Sequence, residues 1–253
     1  MFRVVIPARH ASSRLPGKPL VDIAGKPMLQ RVWERAMAAG AHEVVIATDD
    51  ERIARVAGGF GAEVQMTSAS HPSGTDRLAE VAVRRGWRDA DVVVNVQGDE
   101  PLLPPALVRQ AAALLEADPG ADIATLCTPI ASAQELLDPN VCKLVRRADG
   151  RALYFSRAPI PWYRDSAPAG IASQREFAGA MRHIGLYAYR VGALKRLSVS
   201  PPSALEEAER LEQLRALHLG MAIIVAEACE RPGPGVDTAA DLERVRALLA
   251  AHA

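Results

Sequence analysis

Three basic residues lie in a short loop rich in glycine and proline near the start of the chain. Arg9, Arg14 and Lys18 are spaced through the segment Ile6 to Leu20, which begins at the end of a β-branched run. Cations and exposed backbone N–H groups in one small loop suit a triphosphate. The segment has neither the Walker A spacing nor the Gly-x-Gly-x-x-Gly turn of dinucleotide sites. A solvated basic loop is the alternative, but lysine is rare in this arginine-dominated chain, which favours a specific role for Lys18.

Two aspartates occur in turns that could place a carboxylate beside such an anion. Asp99 follows the apolar run Val92 to Val96 and a glycine, and Asp237 lies in the turn Gly233 to Thr238. Carboxylate oxygens hold Mg²⁺ alongside substrate phosphates. Each aspartate also has a structural alternative, since Asp99 could stabilise a turn or cap a helix before Pro101 and Asp237 could cap the last helix. The residues alone leave these alternatives open.

The elements that would position these residues alternate between strand and helix over about the first half of the chain. The predicted strands are Phe2 to Pro7, Val44 to Thr48, Glu63 to Met66 and Val92 to Val96. Three helices are predicted in the same part of the chain. The first begins at Pro27, the second spans Glu51 to Ala57, and the third spans Thr75 to Arg85. This order predicts an α/β fold with a doubly wound, mostly parallel sheet. Ligands of such sheets bind at the carboxyl ends of the strands.

The second half of the chain predicts an antiparallel insertion around residues 141–190 within a single domain, 1–253. Val141 to Arg147 and Ala152 to Phe155 flank Asp149-Gly150, which signals a two-residue hairpin turn. The later predicted elements are a strand His183 to Tyr189, the longest helix Ala204 to Leu219, a strand Met221 to Ala226 and a helix Ala239 to Ala250.

The composition is typical of a soluble globular protein and excludes several classes of function. The chain has 253 residues, 30 Lys and Arg against 30 Asp and Glu, and 49% apolar residues. Zero net charge and a 4% aromatic fraction argue against nucleic-acid binding. The apolar runs are too short to span a bilayer, and the three scattered cysteines indicate neither a disulfide framework nor a zinc site. We therefore expect a cytoplasmic protein with no membrane or nucleic-acid partner.

Taken together, these stretches resemble the 3-deoxy-manno-octulosonate (Kdo) cytidylyltransferases, which are nucleotidyltransferases with a Rossmann-like fold. The opening loop alone would indicate only a sugar nucleotidyltransferase. The Ser156-Arg157-Ala158 and Leu211 to Arg215 stretches narrow the resemblance to the Kdo branch. The likeness runs almost end to end and also includes the segments Pro7 to Leu20, His71 to Arg77, Asn95 to Pro101, Ala152 to Ala158, Arg182 to Gly185 and Gly235 to Thr238.

The resemblance implies a reaction in which CTP and Kdo give CMP-Kdo and pyrophosphate, activating Kdo for lipopolysaccharide synthesis. It implies Lys18, Asp99 and Asp237 as catalytic residues, the two aspartates as Mg²⁺ ligands, and a homodimer. Such a transfer needs positioning and charge neutralisation more than a protein nucleophile.

The resemblance also implies two sets of binding residues. Those for CTP are Pro7, Ala8, Arg9, Arg14, Lys18, Ser73, Gly74, Thr75 and Gln97. Those for Kdo are Gln97, Arg157, His183, Tyr187, Glu212 and Gln213. Four of the Kdo residues have a structural alternative: Arg157 could be a surface residue, His183 a satisfied core histidine, and Glu212 and Gln213 part of a solvated helix face.

Two competing hypotheses remain. A cytidylyltransferase for a sialic acid or another sugar would use the same phosphate loop and differ only in its acceptor pocket. A non-catalytic nucleotide-binding domain would retain the fold without turnover. The second hypothesis expects one of the two aspartates to be missing, and both are present.

Overall fold

The structure, a computed structural model, describes residues 1–10, 15–167 and 169–251. Arg14, one of the basic residues singled out above, lies outside these ranges. The strands are β1 (Phe2–Ala8), β2 (Asp22–Ile23), β3 (Lys26–Pro27), β4 (Glu43–Thr48), β5 (Glu63–Met66), β6 (Val92–Asn95), β7 (Ile123–Pro129), β8 (Lys143–Arg146), β9 (Ala152–Ser156), β10 (Met181–Arg190) and β11 (Ile223–Glu227). The helices are α1 (Met28–Ala38), α2 (Glu51–Gly59), α3 (Gly74–Arg84), α4 (Pro105–Ala117), α5 (Ala133–Leu137), α6 (Val191–Val199), α7 (Ala204–Glu209), α8 (Gln213–His218) and α9 (Ala239–Ala250).

One mixed sheet organises the molecule. Its strand order is β11-β7-β10-β6-β1-β4-β5, and the hairpin β8-β9 joins it through β10. The pairs β1-β4, β1-β6, β4-β5 and β7-β11 are parallel. Strand β10 is antiparallel to both of its neighbours, β6 and β7. The predicted α/β class with a mostly parallel sheet and an antiparallel part is therefore confirmed, although the antiparallel part includes a strand inside the main sheet.

Apolar layers cover both faces of the sheet because successive strand residues point to opposite sides. On one face, Val4 packs in a buried cluster with residues of α1 and α4 such as Leu29 and Leu107. On the other face, Val5 packs in a second cluster that includes Leu78 of α3 and Leu194 of α6. Among the described residues, no helix combines the length and apolar character that crossing a membrane requires.

The predicted long helix Ala204 to Leu219 is wrong. The chain forms two short helices, α7 and α8, because Arg210 adopts a left-handed conformation with φ of 54°. An ion pair between Arg215 and Glu206 at 2.6 Å holds the two helices together across the break. The longest described helix is instead α4, which sequence reasoning missed together with β7 and α6.

The predicted hairpin is confirmed, but its turn is longer than two residues. The Arg147 N–H donates to the Arg151 carbonyl at 2.8 Å, which encloses residues 148–150. Gly150 lies in the left-handed region with φ of 86°, and the Asp149 carboxylate accepts from the Arg151 N–H at 3.1 Å. These local bonds stabilise a three-residue turn in place of the two-residue one.

Candidate active site

Two glycines allow three chain segments to meet at the carboxyl end of β1. A Cβ on Gly98 would lie 2.9 Å from the Pro7 carbonyl oxygen, which no side chain tolerates without moving backbone. A Cβ on Gly74 would lie 3.2 Å from Pro7 Cγ. The loops that follow β1 and β6 and the start of α3 therefore converge on one edge of the sheet, as expected for a ligand site in an α/β fold.

The first cavity opens at this convergence and has a volume of ≈ 280 Å³. It brings together most of the residues predicted for CTP and for the metal. Those lining it are Pro7, Ala8, Arg9, Lys18, Ser73, Gly74, Gln97, Asp99 and Asp237. Thr75, also predicted for CTP, lines a neighbouring cavity instead.

Lys18 connects the two predicted metal ligands. Its Nζ donates to Asp99 Oδ2 at 2.7 Å and to Asp237 Oδ1 at 3.0 Å. Its side chain is only 12% exposed, and the preceding Gly17, at φ of 67°, starts the 3₁₀ turn Lys18–Leu20. Two carboxylates from loops far apart in sequence thus share one cation.

The structural alternative for Asp237 does not hold, because Thr238 is the N-cap of α9. The Thr238 side chain accepts from the Asp241 N–H at 3.2 Å, and Asp241 Oδ2 accepts from the Thr238 N–H at 2.9 Å. This reciprocal pair is a capping box. Asp237 is therefore not required to cap the helix.

Asp99 likewise does not cap the helix that follows it. Helix α4 begins after Pro104 and has no side-chain cap. The Asp99 carbonyl instead accepts from the Val236 N–H at 2.9 Å, which ties the loop after β6 to the loop before α9. Next to it, burial and then the charge of Asp99 raise the pKa of Glu100 to about 7.

A second cavity of ≈ 170 Å³ lies beside the first, and Gln97 lines both. Of the residues predicted for Kdo, Gln97, Tyr187, Glu212 and Gln213 line it. Glu212 and Gln213 lie at the start of α8, where Glu212 is the N-cap, and not in the middle of a helix. Burial raises the pKa of Glu212 and raises that of Tyr187 well above its usual value. The tyrosine therefore remains a neutral hydroxyl.

His183 lies behind the second cavity and does not line it. Its Nε2 lies 2.9 Å from the Thr125 hydroxyl, which also approaches the carbonyls of Ile184 and Leu186 at 3.1 and 2.8 Å. A hydroxyl has one proton, so Thr125 donates to a carbonyl and accepts from Nε2–H, which fixes the tautomer. Burial lowers the pKa of His183 to about 3, so the ring is neutral at physiological pH. It contacts the ring of Tyr187 at 5.2 Å between centroids.

Arg157 also lines neither described cavity, and backbone carbonyls hold its guanidinium. Nε donates to the Glu209 carbonyl at 2.7 Å and Nη1 to the Pro139 carbonyl at 3.0 Å. Nη2 has no hydrogen-bond partner within the described part of the chain. The fully buried Lys143 donates to three carbonyls, including that of Arg157. These bonds orient the arginine and anchor it beside the break between α7 and α8.

Sequence reasoning missed four residues that line the second cavity, of which Asn95 and Tyr189 are polar and Ile123 and Leu197 are apolar. Asn95 ends the apolar strand β6, and a polar residue at the carboxyl end of a buried strand was a usable signal. Tyr189 lies on the same strand as Tyr187 and contacts its ring at 5.7 Å between centroids. The period-2 spacing of these tyrosines places them on one face of β10.

Known proteins are similar to this chain in sequence and in fold. A family profile described as cytidylyltransferase matches residues 3–223. A 3-deoxy-manno-octulosonate cytidylyltransferase from Thioalkalivibrio sulfidiphilus is 59% identical over 99% of both chains. One from Cellvibrio japonicus is 57% identical over 98% of both. A solved structure of CMP:2-keto-3-deoxy-manno-octonic acid synthetase complexed with CTP is 45% identical, with a TM-score of 0.88 over 100% of both chains. By sequence and structure, the chain belongs to the 3-deoxy-manno-octulosonate cytidylyltransferase family.

Proposed function

We propose that this protein transfers CMP from CTP to the 2-hydroxyl of Kdo, releasing pyrophosphate and activating Kdo for lipopolysaccharide synthesis. The observation that carries this proposal is the pair of adjoining cavities that share Gln97. The first has cations and carboxylates suited to a triphosphate, and the second has hydroxyl-binding groups suited to a sugar. Membership of the family and the solved relative described with CTP support the assignment of the first cavity.

The reaction requires the two ligands to meet at the boundary between the cavities. The 2-hydroxyl oxygen of Kdo forms a bond to the α-phosphorus of CTP and releases its proton to solvent, while the bond from phosphorus to pyrophosphate breaks in line and pyrophosphate leaves with the bonding electrons. Arg9 and Lys18 neutralise the triphosphate, while Gln97 lies where the nucleotide and the acceptor adjoin. Catalysis then consists of orientation and charge stabilisation, without a protein nucleophile.

Asp99 and Asp237 would hold the Mg²⁺ that this proposal includes. The two carboxylates approach one ammonium group at 2.7 and 3.0 Å, so they converge closely enough to share a cation. Bound Mg²⁺ would neutralise phosphate charge and favour loss of the hydroxyl proton. The described residues contain no group of three or more side chains arranged to hold a metal. The remaining ligands would therefore be phosphate oxygens and water, as is usual for Mg²⁺.

The proposal is tested by incubating the protein with CTP, Kdo and Mg²⁺ and measuring pyrophosphate release. We expect turnover that stops on addition of EDTA and returns with excess Mg²⁺. A panel of other sugar acids, sialic acids included, tests the competing acceptors with the same readout. Absence of pyrophosphate with Kdo, together with release with another acid, would reassign the acceptor. Absence with every acid would support a binding domain without turnover.

Arg157→Lys is expected to lower kcat/KM for Kdo by about tenfold or more while leaving the Kd for CTP unchanged. The arginine is oriented by two carbonyls with Nη2 unengaged among the described residues, and we propose that it receives the Kdo carboxylate. Lysine cannot reproduce the planar donors of a guanidinium. Each such charge-assisted bond contributes roughly 1.5 to 3 kcal/mol. Steady-state kinetics at saturating CTP measure the effect.

The control for Arg157 is a Kdo analogue with a carboxamide in place of the carboxylate. Wild type should reject the analogue strongly, and Arg157→Lys should discriminate less between acid and amide. Equal discrimination by both proteins would mean that the carboxylate is bound elsewhere. A thermal melt of Arg157→Lys shows whether loss of the bonds to the Pro139 and Glu209 carbonyls has destabilised the fold. An unchanged melting temperature would assign the kinetic effect to the Kdo carboxylate.

We also infer a cytoplasmic homodimer, for which two features give support. The cysteines of the described chain are free, which suits a reducing compartment. The region around residues 141–190 exposes large apolar side chains, namely Leu153, Trp162 and Ile171. Light scattering coupled to size-exclusion chromatography should give twice the mass of the 27.1 kDa chain. A monomeric mass at micromolar concentration would contradict the dimer.

A further inference from the structure

The side chain of Asn95 has a buried oxygen with no hydrogen-bond partner. The residue is 2% exposed, and its Oδ1 is one of two buried side-chain polar atoms left unpaired among the described residues. The other, Arg3 Nε, lies 3.3 Å from a Glu43 carboxylate oxygen, and its guanidinium stacks over Trp87. Arg3 is therefore compensated electrostatically, whereas Asn95 is not. Unpaired buried polar atoms are uncommon in native proteins and call for an explanation.

The backbone around Asn95 offers no partner for this oxygen. Asn95 is the last residue of β6 and pairs with Val5 of β1 on one side and with Tyr187 of β10 on the other. The neighbouring main-chain groups are thus engaged in the sheet. The residue lines the second cavity, so a ligand bound there is the partner that the amide can reach once the side chain turns its oxygen towards the cavity.

The cavity around Asn95 has the chemistry of a site for hydroxyl groups. Its polar lining combines the Glu212 carboxylate with the hydroxyls of Thr75, Tyr187 and Tyr189. A ligand carboxylate here would face the Glu212 carboxylate and be repelled. A ligand hydroxyl both donates and accepts, so it satisfies the Asn95 amide and can also bond to Glu212.

We propose that Asn95 recognises one hydroxyl of the acceptor sugar and thereby contributes to acceptor specificity. This inference rests on the proposed function and extends it to a residue outside the predicted set. The carboxylate of the acceptor lies away from Asn95, towards Arg157, which we propose receives it. A site built to bond a hydroxyl discriminates against analogues that lack it, because its own polar group is then left unpaired.

The test compares Asn95→Leu with wild type in thermal stability and in kinetics with Kdo. If Asn95 had a purely structural role, its substitution would impair both together. Because leucine removes an unpaired buried oxygen, the melting temperature without ligands should be unchanged or higher. The KM for Kdo should rise, or kcat fall, so that kcat/KM decreases by at least about tenfold. The Kd for CTP should not change. Asn95→Ser, which is smaller and polar, gives a second folded variant with the same expected kinetic loss.

Thr125→Val is the matched stability control. Thr125 is also buried on a strand of the same sheet, but its hydroxyl is fully bonded. Its replacement should therefore lower the melting temperature, in contrast to Asn95→Leu. If Asn95→Leu lowers the melting temperature by as much as Thr125→Val does, Asn95 is a structural residue and the proposal is overturned.

Deoxy analogues of Kdo, each lacking one hydroxyl, identify the group that Asn95 binds. With the analogue that lacks the hydroxyl bound by Asn95, wild type should lose activity relative to Kdo, whereas Asn95→Leu should be equally active on Kdo and on the analogue. With the other analogues, the loss caused by the substitution and the loss caused by the missing hydroxyl should multiply. If they multiply for every analogue, or if Asn95→Leu keeps wild-type kinetics, the proposal fails. Failure of wild type to use Kdo at all would instead contradict the proposed function, so the two failures are distinguishable.

Discussion

Asp99→Asn is expected to lower kcat by at least about 100-fold while changing the Kd for CTP little. Asparagine keeps the shape of the side chain but loses the charge that we propose holds Mg²⁺ together with Asp237. Loss of a group that only orients a metal ligand typically lowers metal affinity or activity by about 10- to 100-fold, so loss of a ligand itself should lower activity further. An interaction made chiefly in the transition state appears in kcat. The measurement is kcat as a function of Mg²⁺ concentration, with CTP binding measured separately by calorimetry.

Asp237→Asn should behave like Asp99→Asn, and Asp241→Asn is the matched control. Asp241 completes the capping box of α9 four residues further along the chain. Asp241 Oδ2 accepts from the N–H groups of Thr238 and Asp237 at 2.9 and 3.2 Å, and asparagine retains an oxygen that can accept both bonds. The substitution should therefore cost about 0.5 to 2 kcal/mol of stability without lowering kcat. If Asp99→Asn reaches near-normal kcat at saturating Mg²⁺, Asp99 is not a metal ligand.

Lys18→Ala is expected to reduce kcat/KM for CTP by about 10- to 100-fold and to leave the KM for Kdo nearly unchanged. The ammonium lies in the first cavity, within 3.0 Å of both aspartates, and we propose that it contacts the triphosphate during turnover. Charge-assisted hydrogen bonds contribute roughly 1.5 to 3 kcal/mol, which corresponds to this range. Initial rates with each substrate varied in turn provide the two KM values.

Lys18→Arg is the companion variant because it keeps the positive charge but not the compact ammonium. It should recover part of the CTP affinity and less of the turnover, since the planar guanidinium cannot occupy the same position between the two carboxylates. Equal increases in both KM values for Lys18→Ala would indicate that the loop has collapsed. In that case the assignment of Lys18 as a phosphate contact would be wrong.

Sequence reasoning worked best where local pattern and tertiary environment agree. The almost wholly apolar run Val92 to Val96 predicted a buried strand, and β6 lies at the centre of the sheet with its side chains buried. The position of Asp99 at the edge followed from that strand and from the rule that strand ends form ligand sites. Arg9 and Asp99 were therefore predictable from the pattern of residues, whereas Gln97 was predicted from the family resemblance.

The error at Ala204 to Leu219 has a tertiary cause. The segment has helix-forming residues throughout, and nothing in its local pattern requires a break at Arg210. The reason lies elsewhere in the fold: the Glu209 carboxylate accepts from the Ser156 hydroxyl at 2.6 Å and from the Arg157 N–H at 2.7 Å. These bonds pull the end of α7 towards β9. The break makes Glu212 the N-cap of α8, at the edge of the second cavity.

The antiparallel strand β10 has a consequence for how the molecule folds. It separates β6 from β7, although only α4 lies between those two strands in the chain. During synthesis, the facing backbone groups of β6 and β7 therefore lack their partners until residues 181–190 have emerged. Such non-local pairing slows folding, because the chain loses loop-closure entropy before the new strand contacts stabilise it. Because Asn95 and Tyr187 face each other across the β6-β10 pair, a nascent chain acquires the second cavity only when β10 docks between β6 and β7.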